Sequence, residues 1–406
     1  MPKTVAGVDV GTTKICTVIG EPGNGGRLRI LGVGVTPSQG LRKGLVVDID
    51  EAVQCIAGSI EKCQRVSGIA VEEANVSIAN QDITSDNSKG VVVVASHEIA
   101  QQDIDRAMDQ ARTVAIPSNR DVIHIIPRGF VVDGLHGVSN PVGMTGSRLE
   151  VETHIVCAGS GTIQNLVKCV ERAGVDGVSL VLEPLASALA VLSESERETG
   201  VVLIDLGGGT TDVAVFLGGS VWHTAVLPVG GSHITNDLAI GLRAPYETAE
   251  ELKVRFGRAT TEGVLTDEPI HLSSENGVSN YRRAELCTII EARVEEIFLM
   301  VKDVLRASDA LGKLPAGAVI TGGTAQMQGI TDLAAAILDM PVRVGVPLEL
   351  EGLVDTITGP AYANAVGLVR WGLTYASAAS TSFETHAPRS HDNFGRAMHW
   401  LRSFLP

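Results

Sequence analysis

Two short segments carry residues of the kind that handle phosphate. Val5 to Ile19 reads VAGVDVGTTKICTVI, and Val202 to Phe216 reads VLIDLGGGTTDVAVF. Each has an apolar run, an aspartate, one more apolar residue, glycine, a Thr-Thr pair and a second apolar run. The first copy places Asp9, Gly11, Thr12 and Thr13; the second places Asp205, Gly207, Gly208, Gly209, Thr210 and Thr211. The pattern predicts a β-hairpin whose turn approaches an anion. Glycine permits positive φ and removes Cβ, so backbone N–H groups can converge on phosphate. The Thr hydroxyls add donors, and Lys14 adds a cation beside the first turn. An aspartate just before the turn suits a hydrated Mg²⁺. One such turn is most often only a turn. Two matched copies half a chain apart point to two homologous lobes with a nucleoside triphosphate clamped between them. No GxxxxGK[ST] occurs, so this is not the Walker phosphate loop.

Other residues extend the clamp. Ala318 to Gly323 reads AVITGG, followed by Thr324. A strand ending in Gly-Gly lets a flat base or ribose approach the backbone, although a strand-to-helix turn is the commoner use. Glu250 and Lys253 stand three apart in TAEELKVRFG, on an expected helix. They suit either the ribose and base or an exposed i, i+3 ion pair. The six cysteines show no CxxC and no metal-ligand spacing, which reads as free thiols in a reducing compartment.

The elements that must hold these residues are α/β in pattern. The 406 residues suffice for two to four subdomains. A net charge of −15 argues against a nucleic-acid partner. No signal peptide is recognised at the N-terminus, and the uncharged stretches are broken by Gly and polar residues, so any membrane contact is expected to be peripheral. Between the hairpins lie a β-branched run at Val91 to Ala95 and a helical stripe of Ile104, Ala107, Met108, Ala111 and Val114. Strands are expected at Val122 to Val132 and Leu149 to Ala158, joined by the Gly-rich loop GLHGVSNPVGMTGSR. This is a compact α+β module. Further on, Arg282 to Asp309 reads as one or two amphipathic helices burying Ile289, Ile290, Val294, Ile297, Phe298 and Val301.

The ordered set DVGTTK, EPLASALAVL, DLGGGTTD, VITGGT and GPAYANAVGLV resembles the actin-like ATPase superfamily over roughly residues 1–375. The string IIPRGFVVDG…NPVGMTGSRLEVETHIV closely resembles the FtsA family of bacterial division proteins, in which such a module, called 1C, replaces the usual actin subdomain. The resemblance implies a two-lobed α/β fold with duplicated RNase H-like cores. It divides the chain into lobe 1 (1–82 with 160–192), the 1C-like insert (83–159), lobe 2 (193–232 with 312–375) and a 2B-like subdomain (233–311). It implies that Asp9 and Asp205 support Mg²⁺, that Gly11 to Lys14 and Gly207 to Thr211 cradle the phosphates of ATP, and that Gly322, Gly323 and Thr324 contact adenosine. Gly230 and Gly231 in PVGGSHIT would lie near the nucleotide. Glu183, at the start of the first connecting helix, would position a water for hydrolysis, or simply supply a favourable N-terminal charge. By the same resemblance the 2B-like region binds the C-terminal peptide of FtsZ, the tubulin-like division protein. Arg283 and Arg293 are candidate contacts to that tail, because such tails are commonly acidic. Filaments of the chain itself, other divisome proteins and a peripheral place on the cytoplasmic face of the bacterial inner membrane at the division site are implied too.

The C-terminal stretch differs from the body. Residues 376–393 are Ser/Ala/Thr/His-rich without period and read as a flexible linker of 18 residues, whose reach is on the order of 25 Å. From Phe394 the sequence is FGRAMHWLRSFLP. Phe394, Met398, Trp400, Leu401, Phe404 and Leu405 fall with Ala397 within an arc of roughly 160° on a helix. Arg396 and Arg402 flank that arc, where their charges reach lipid headgroups. Residues 394–406 therefore read as an amphipathic membrane-targeting helix; docking on the protein's own core is the bland alternative. From Ala376 onward the net charge is +1, leaving −16 on the body. Three of the 14 aromatics lie in the last 13 residues.

Other members of the superfamily fit less well. A sugar or acetate kinase needs an acceptor base that is not evident. A chaperone ATPase needs a substrate domain after the ATPase. A type IV pilus scaffold related to FtsA lacks the terminal amphipathic helix.

Overall fold

The computed structural model describes residues 3–113, 117–266, 268–274 and 277–376. The linker at 377–393, the expected membrane helix at 394–406 and Val114 of the helical stripe lie outside the described residues.

Two large mixed sheets repeat one plan. In the first, strands Val5–Val10 and Lys14–Pro22 form an antiparallel hairpin with Asp9 opposite Cys16. In the second, Val201–Leu206 and Thr211–Leu217 form its counterpart with Asp205 opposite Asp212. The first sheet runs Gly177–Leu182, Glu73–Ile78, Val5–Val10, Lys14–Pro22, Leu28–Pro37, Leu350–Gly352. The second runs Ser220–Leu227, Thr211–Leu217, Val201–Leu206, Ala318–Thr321, Val342–Val344. The apolar runs of the hairpins are unbroken because both faces of these strands are covered. Along Val201–Leu206, Val201 and Leu203 join the core shared with the first sheet, whereas Val202, Ile204 and Leu206 join a second core.

Two helices, Glu183–Val191 and Ala363–Ala376, pass between the sheets and pack on each other. Their crossing is tight: a Cβ on Gly367 would sit 1.8 Å from the Ala186 carbonyl oxygen. The helix Arg283–Ala307 is single and continuous, and its buried face is the expected stripe extended by Leu286 and Leu305, with Ile289 at its margin.

The inserted module has a sheet of its own, ordered Thr84–Val93, Arg148–Gly159, Arg120–Val132, Leu135–Val138. The helix Gln101–Arg112 covers one face with Ile104, Ala107, Met108 and Ala111. Two details differ from the sequence reading. The first strand starts at Thr84, seven residues before the β-branched run, because backbone pairing with 148–157 carries the polar TSDNSK segment along. The Gly-rich loop also contains a short fourth strand, Leu135–Val138, paired to the end of its predecessor. The insert touches the outer strand of both large sheets. His124 Nε2 accepts the Leu182 N–H at 3.0 Å on the first sheet. Ser85 Oγ donates to the Thr224 carbonyl at 2.7 Å, and His154 Nε2 lies 2.8 Å from Thr224 Oγ1, on the second.

Candidate functional site

The two hairpin turns meet across a cleft of about 750 Å³. The walls carry Asp9, Gly11, Thr12, Thr13 and Lys14 from one lobe. Asp205, Gly207, Gly208, Gly209, Thr210, Gly231, Glu250, Lys253, Gly322, Gly323 and Thr324 come from the other, and Glu183 from the connecting helix. Thr211 and Gly230 are off the wall. The Thr211 hydroxyl donates to the Val229 carbonyl at 2.8 Å, and Gly230 packs against the Gly207, Gly208 and Thr210 carbonyls, so both build the turn from behind. The turns need glycine for space: a Cβ on Gly208 would lie 2.0 Å from Thr13 Oγ1, and one on Gly209 would lie 2.6 Å from Thr12 Oγ1.

The second turn is fixed from below by the helix Gly231–Gly241. Its first N–H groups donate to the Gly207 carbonyl at 2.9 Å and the Gly208 carbonyl at 2.8 Å. Thr324 Oγ1 also donates to the Gly207 carbonyl, at 3.3 Å. Glu250 and Lys253 are both an ion pair, at 2.6 Å, and cleft residues. Lys253 Nζ also donates to the Gly231 carbonyl at 3.1 Å and to Thr235 Oγ1 at 2.8 Å.

The acids are tightly grouped. Asp9 accepts from Asn364 Nδ2 at 2.8 Å and Ser77 Oγ at 3.2 Å, and lies 3.5 Å from Lys14 Nζ. Asp205 accepts from Ser187 Oγ at 2.6 Å. Burial lifts the Asp205 carboxyl to about 6; the Ser187 hydrogen bond and Lys14 oppose the rise and Asp9 adds to it. Burial first, then Asp212, Asp9 and Asp205, push Glu183 well above the usual carboxylate range. Burial works against the charge on Lys14, but Asp9 and its neighbours outweigh it and hold the ammonium more firmly protonated than usual. Lys14 Nζ donates to the Ala361 carbonyl at 2.6 Å and lies 4.9 Å from the Tyr362 ring centre.

Several residues here escaped the sequence reading. Asp212, fully buried, accepts from Thr210 Oγ1 at 2.9 Å, while its other oxygen has no partner among the described residues. In the strand pairing it stands opposite Asp205 as Cys16 stands opposite Asp9 in the first copy, whereas matching the Thr-Thr pairs sets it against Lys14. Ser77, Ser187 and Asn364 reach the aspartates from distant elements and leave no local signal. Tyr246 adds an aromatic wall. Arg283 and Arg293 are not part of the cleft. Arg283 pairs with Glu268 at 2.9 Å, and Arg293 pairs with Asp237 at 2.5 Å and with Glu296.

Duplicated hairpins facing a cleft between two sheets, joined by two crossing helices, define an actin-like α/β fold with an inserted subdomain. Residues 202–367 match the sequence profile of "Cell division protein FtsA", and residues 80–157 that of an "SHS2 domain inserted in FTSA". The cell division protein FtsA of Pseudomonas aeruginosa is 42% identical over 373 residues, covering 91% of this chain and 89% of that one. The chain belongs to the FtsA family of cell division proteins. Two solved structures share the fold. The PilM-PilN type IV pilus biogenesis complex matches at 16% identity and a TM-score of 0.66, over 91% of this chain and 98% of the other. MreB 5 of Spiroplasma citri, bound to AMPPNP, matches at 13% and 0.58, over 94% and 99%. At those identities the likeness is one of fold alone. No helix among the described residues is long and apolar enough to cross a membrane.

Proposed function

We propose that this chain binds ATP with Mg²⁺ in the cleft, assembles into filaments of itself, and ties FtsZ polymers to the cytoplasmic face of the bacterial inner membrane at the division site. The observation that carries the nucleotide reading is the cleft bounded by two copies of one Asp-bearing hairpin, with volume suited to a small-molecule ligand. Asp9 and Asp205 suit a hydrated Mg²⁺, which keeps most of its waters and takes one or two carboxylates plus substrate phosphates. The ion is taken to be held through its waters. When bound it neutralises phosphate charge. Glu183 positions a water for hydrolysis.

The second half of the proposal rests on the sequence of the tail and on family membership. Phe394, Met398, Trp400, Leu401, Phe404 and Leu405 enter the lipid interface while Arg396 and Arg402 meet headgroups. One such segment binds weakly and reversibly, and a filament presenting many gains avidity. The 2B-like region takes the FtsZ C-terminal peptide, with Arg283 and Arg293 as contacts.

Electron microscopy of the purified protein with Mg-ATP on lipid monolayers tests the whole. Filaments lying on lipid, absent when residues 394–406 are removed, are the expected result. Dispersed monomers with fast ATP turnover would overturn it. For the FtsZ contact, charge reversal at Arg283 and Arg293 that left peptide affinity unchanged would remove those two residues from the proposal.

A further inference from the structure

Between the first large sheet and its first long helix, residues 38–48 fold back as a small hairpin. Leu41–Arg42 pairs with Leu45–Val46, and Lys43 stands at the tip. The tip is built to hold one position. Gly40 and Gly44 have φ of 74°, and Lys43 itself is left-handed at φ 50°. For a side chain with Cβ that conformation is uncommon and persists only where the surroundings enforce it. A Cβ on Gly44 would lie 1.7 Å from the Ala79 carbonyl oxygen, so no other residue fits there. The Gly44 N–H donates to Thr12 Oγ1 at 3.1 Å, which ties the tip to the first phosphate turn. The Gly40 carbonyl accepts from Val47 and Asp48 and closes the base.

The tip faces the other lobe. Lys43 Cα lies 3.0 Å from the Cβ position of Gly209, in the second phosphate turn. Burial first, then the positive charges of Lys43 and Arg293, lower the proton affinity of His233, on the first turn of the helix beneath that phosphate loop. The Lys43 charge is thus felt across the cleft. Gly44 lines the cleft and Lys43 stands next to it, while the cations that line the cleft are engaged: Lys14 with Asp9 and the Ala361 carbonyl, Lys253 with Glu250 and Thr235, Arg255 with Glu251. Among the described residues Lys43 makes no hydrogen bond or ion pair. The backbone of Lys43 is thus held beside both phosphate-type turns, and its side chain is uncommitted among the described residues.

We propose that Lys43 is a further phosphate-binding residue, which reaches from the tip of this hairpin to the terminal phosphate of a nucleoside triphosphate and so distinguishes it from a diphosphate. The inference rests on the nucleotide reading above. The four-carbon stem lets the ammonium swing to the anion while the backbone stays fixed. A diphosphate, one phosphoryl group shorter, leaves Lys43 without a contact.

Titration of the full chain with Mg-AMPPNP and Mg-ADP, in wild type and in Lys43→Ala and Lys43→Arg, tests this. The expected result is a loss of about 10-fold or more in AMPPNP affinity for Lys43→Ala, with ADP affinity within about twofold and AMPPNP binding largely recovered by Lys43→Arg. Equal losses for both nucleotides would make Lys43 a structural support of the hairpin and overturn the inference. Unchanged binding of both would overturn it too. A wild-type protein that binds neither nucleotide sinks the nucleotide reading itself, and this inference with it.

Discussion

At the scale of single residues, the cleft is a concentration of buried carboxyls set against few cations. Asp205 and Asp212 stand opposite each other on antiparallel strands, where like charges destabilise. Asp212 has an oxygen without a partner, and burial and Asp205 raise its proton affinity well above normal. Asp212→Asn is therefore expected to stabilise the nucleotide-free protein, by about 1 kcal/mol, read as a higher midpoint in thermal melts at neutral pH. A lower midpoint would mean that the carboxyl has a native partner that these contacts do not include. The position so paired in the first repeat is Cys16, whose thiol burial lifts to about 12, so no charge stands opposite Asp9 there. Asp9 is instead met by Asn364, Ser77 and Lys14. Asp9→Ala is expected to remove most Mg-dependent nucleotide affinity while leaving metal-free binding less affected; isothermal titration with and without Mg²⁺ separates the two. The glycines, threonines and aspartates of the site were legible in the sequence because the repeat displays them twice. Asp212 was visible too, but only as the last letter of a motif whose glycines draw attention. The serines and Asn364 were not, because they arrive from residues far along the chain.

At the scale of elements, the inserted module has its own sheet and core but is hydrogen-bonded to both large sheets. His154 is fully buried where its strand meets the second large sheet, with Nδ1 2.8 Å from Asn87 Oδ1 and Nε2 2.8 Å from Thr224 Oγ1. A neutral ring satisfies both, donating on one side and accepting on the other. Burial, with His223, Arg128 and His124 adding to it, lowers its pKa to about 3. The native state therefore takes no proton there between pH 3 and the unfolded value of about 6.5, whereas the unfolded chain does. This contribution is complete above about 6.5 and falls by about 1.4 kcal/mol per pH unit below it. Hydrogen exchange at pH 7.5 and 5.5 should show the 148–159 and 220–227 strands losing protection together on acidification, and His154→Gln should flatten that dependence. Helices tell a second story. The Glu183–Val191 and Ala363–Ala376 pair crosses with no room for a methyl group at Gly367. Gly367→Ala is expected to cost about 1–3 kcal/mol and to weaken nucleotide binding, because spreading the helices moves the hairpins apart. An unaltered melting temperature would show that the crossing has slack. The long amphipathic helix was readable from its stripe, whereas the 41–46 hairpin was not, since strands of two residues leave no period to detect.

At the scale of the whole molecule, charge is divided unevenly. The body carries −16 and the stretch from Ala376 onward +1, so an anionic membrane repels most of the protein while the tail is drawn to it. Attachment of single subunits to anionic vesicles should accordingly be weak, strengthen when the protein is concentrated enough to assemble, and vanish for Trp400→Glu. Co-sedimentation across a concentration series measures this, and full binding of the Trp400→Glu variant would discard the tail as the anchor. The same view gives the insert's position another meaning. Strand Gly177–Leu182 is an outer strand of the first sheet and meets His124; strand Ser220–Leu227 is an outer strand of the second and meets His154 and Ser85. The opposite margins end in strands of three residues each, Leu350–Gly352 and Val342–Val344. Open sheet margins invite uncontrolled strand addition from neighbouring copies, and short or covered ones discourage it. If copies of the chain crowd together as proposed, these margins guard them against amyloid-type coalescence, and loss of the insert is expected to surface first as a problem of solubility in the cell.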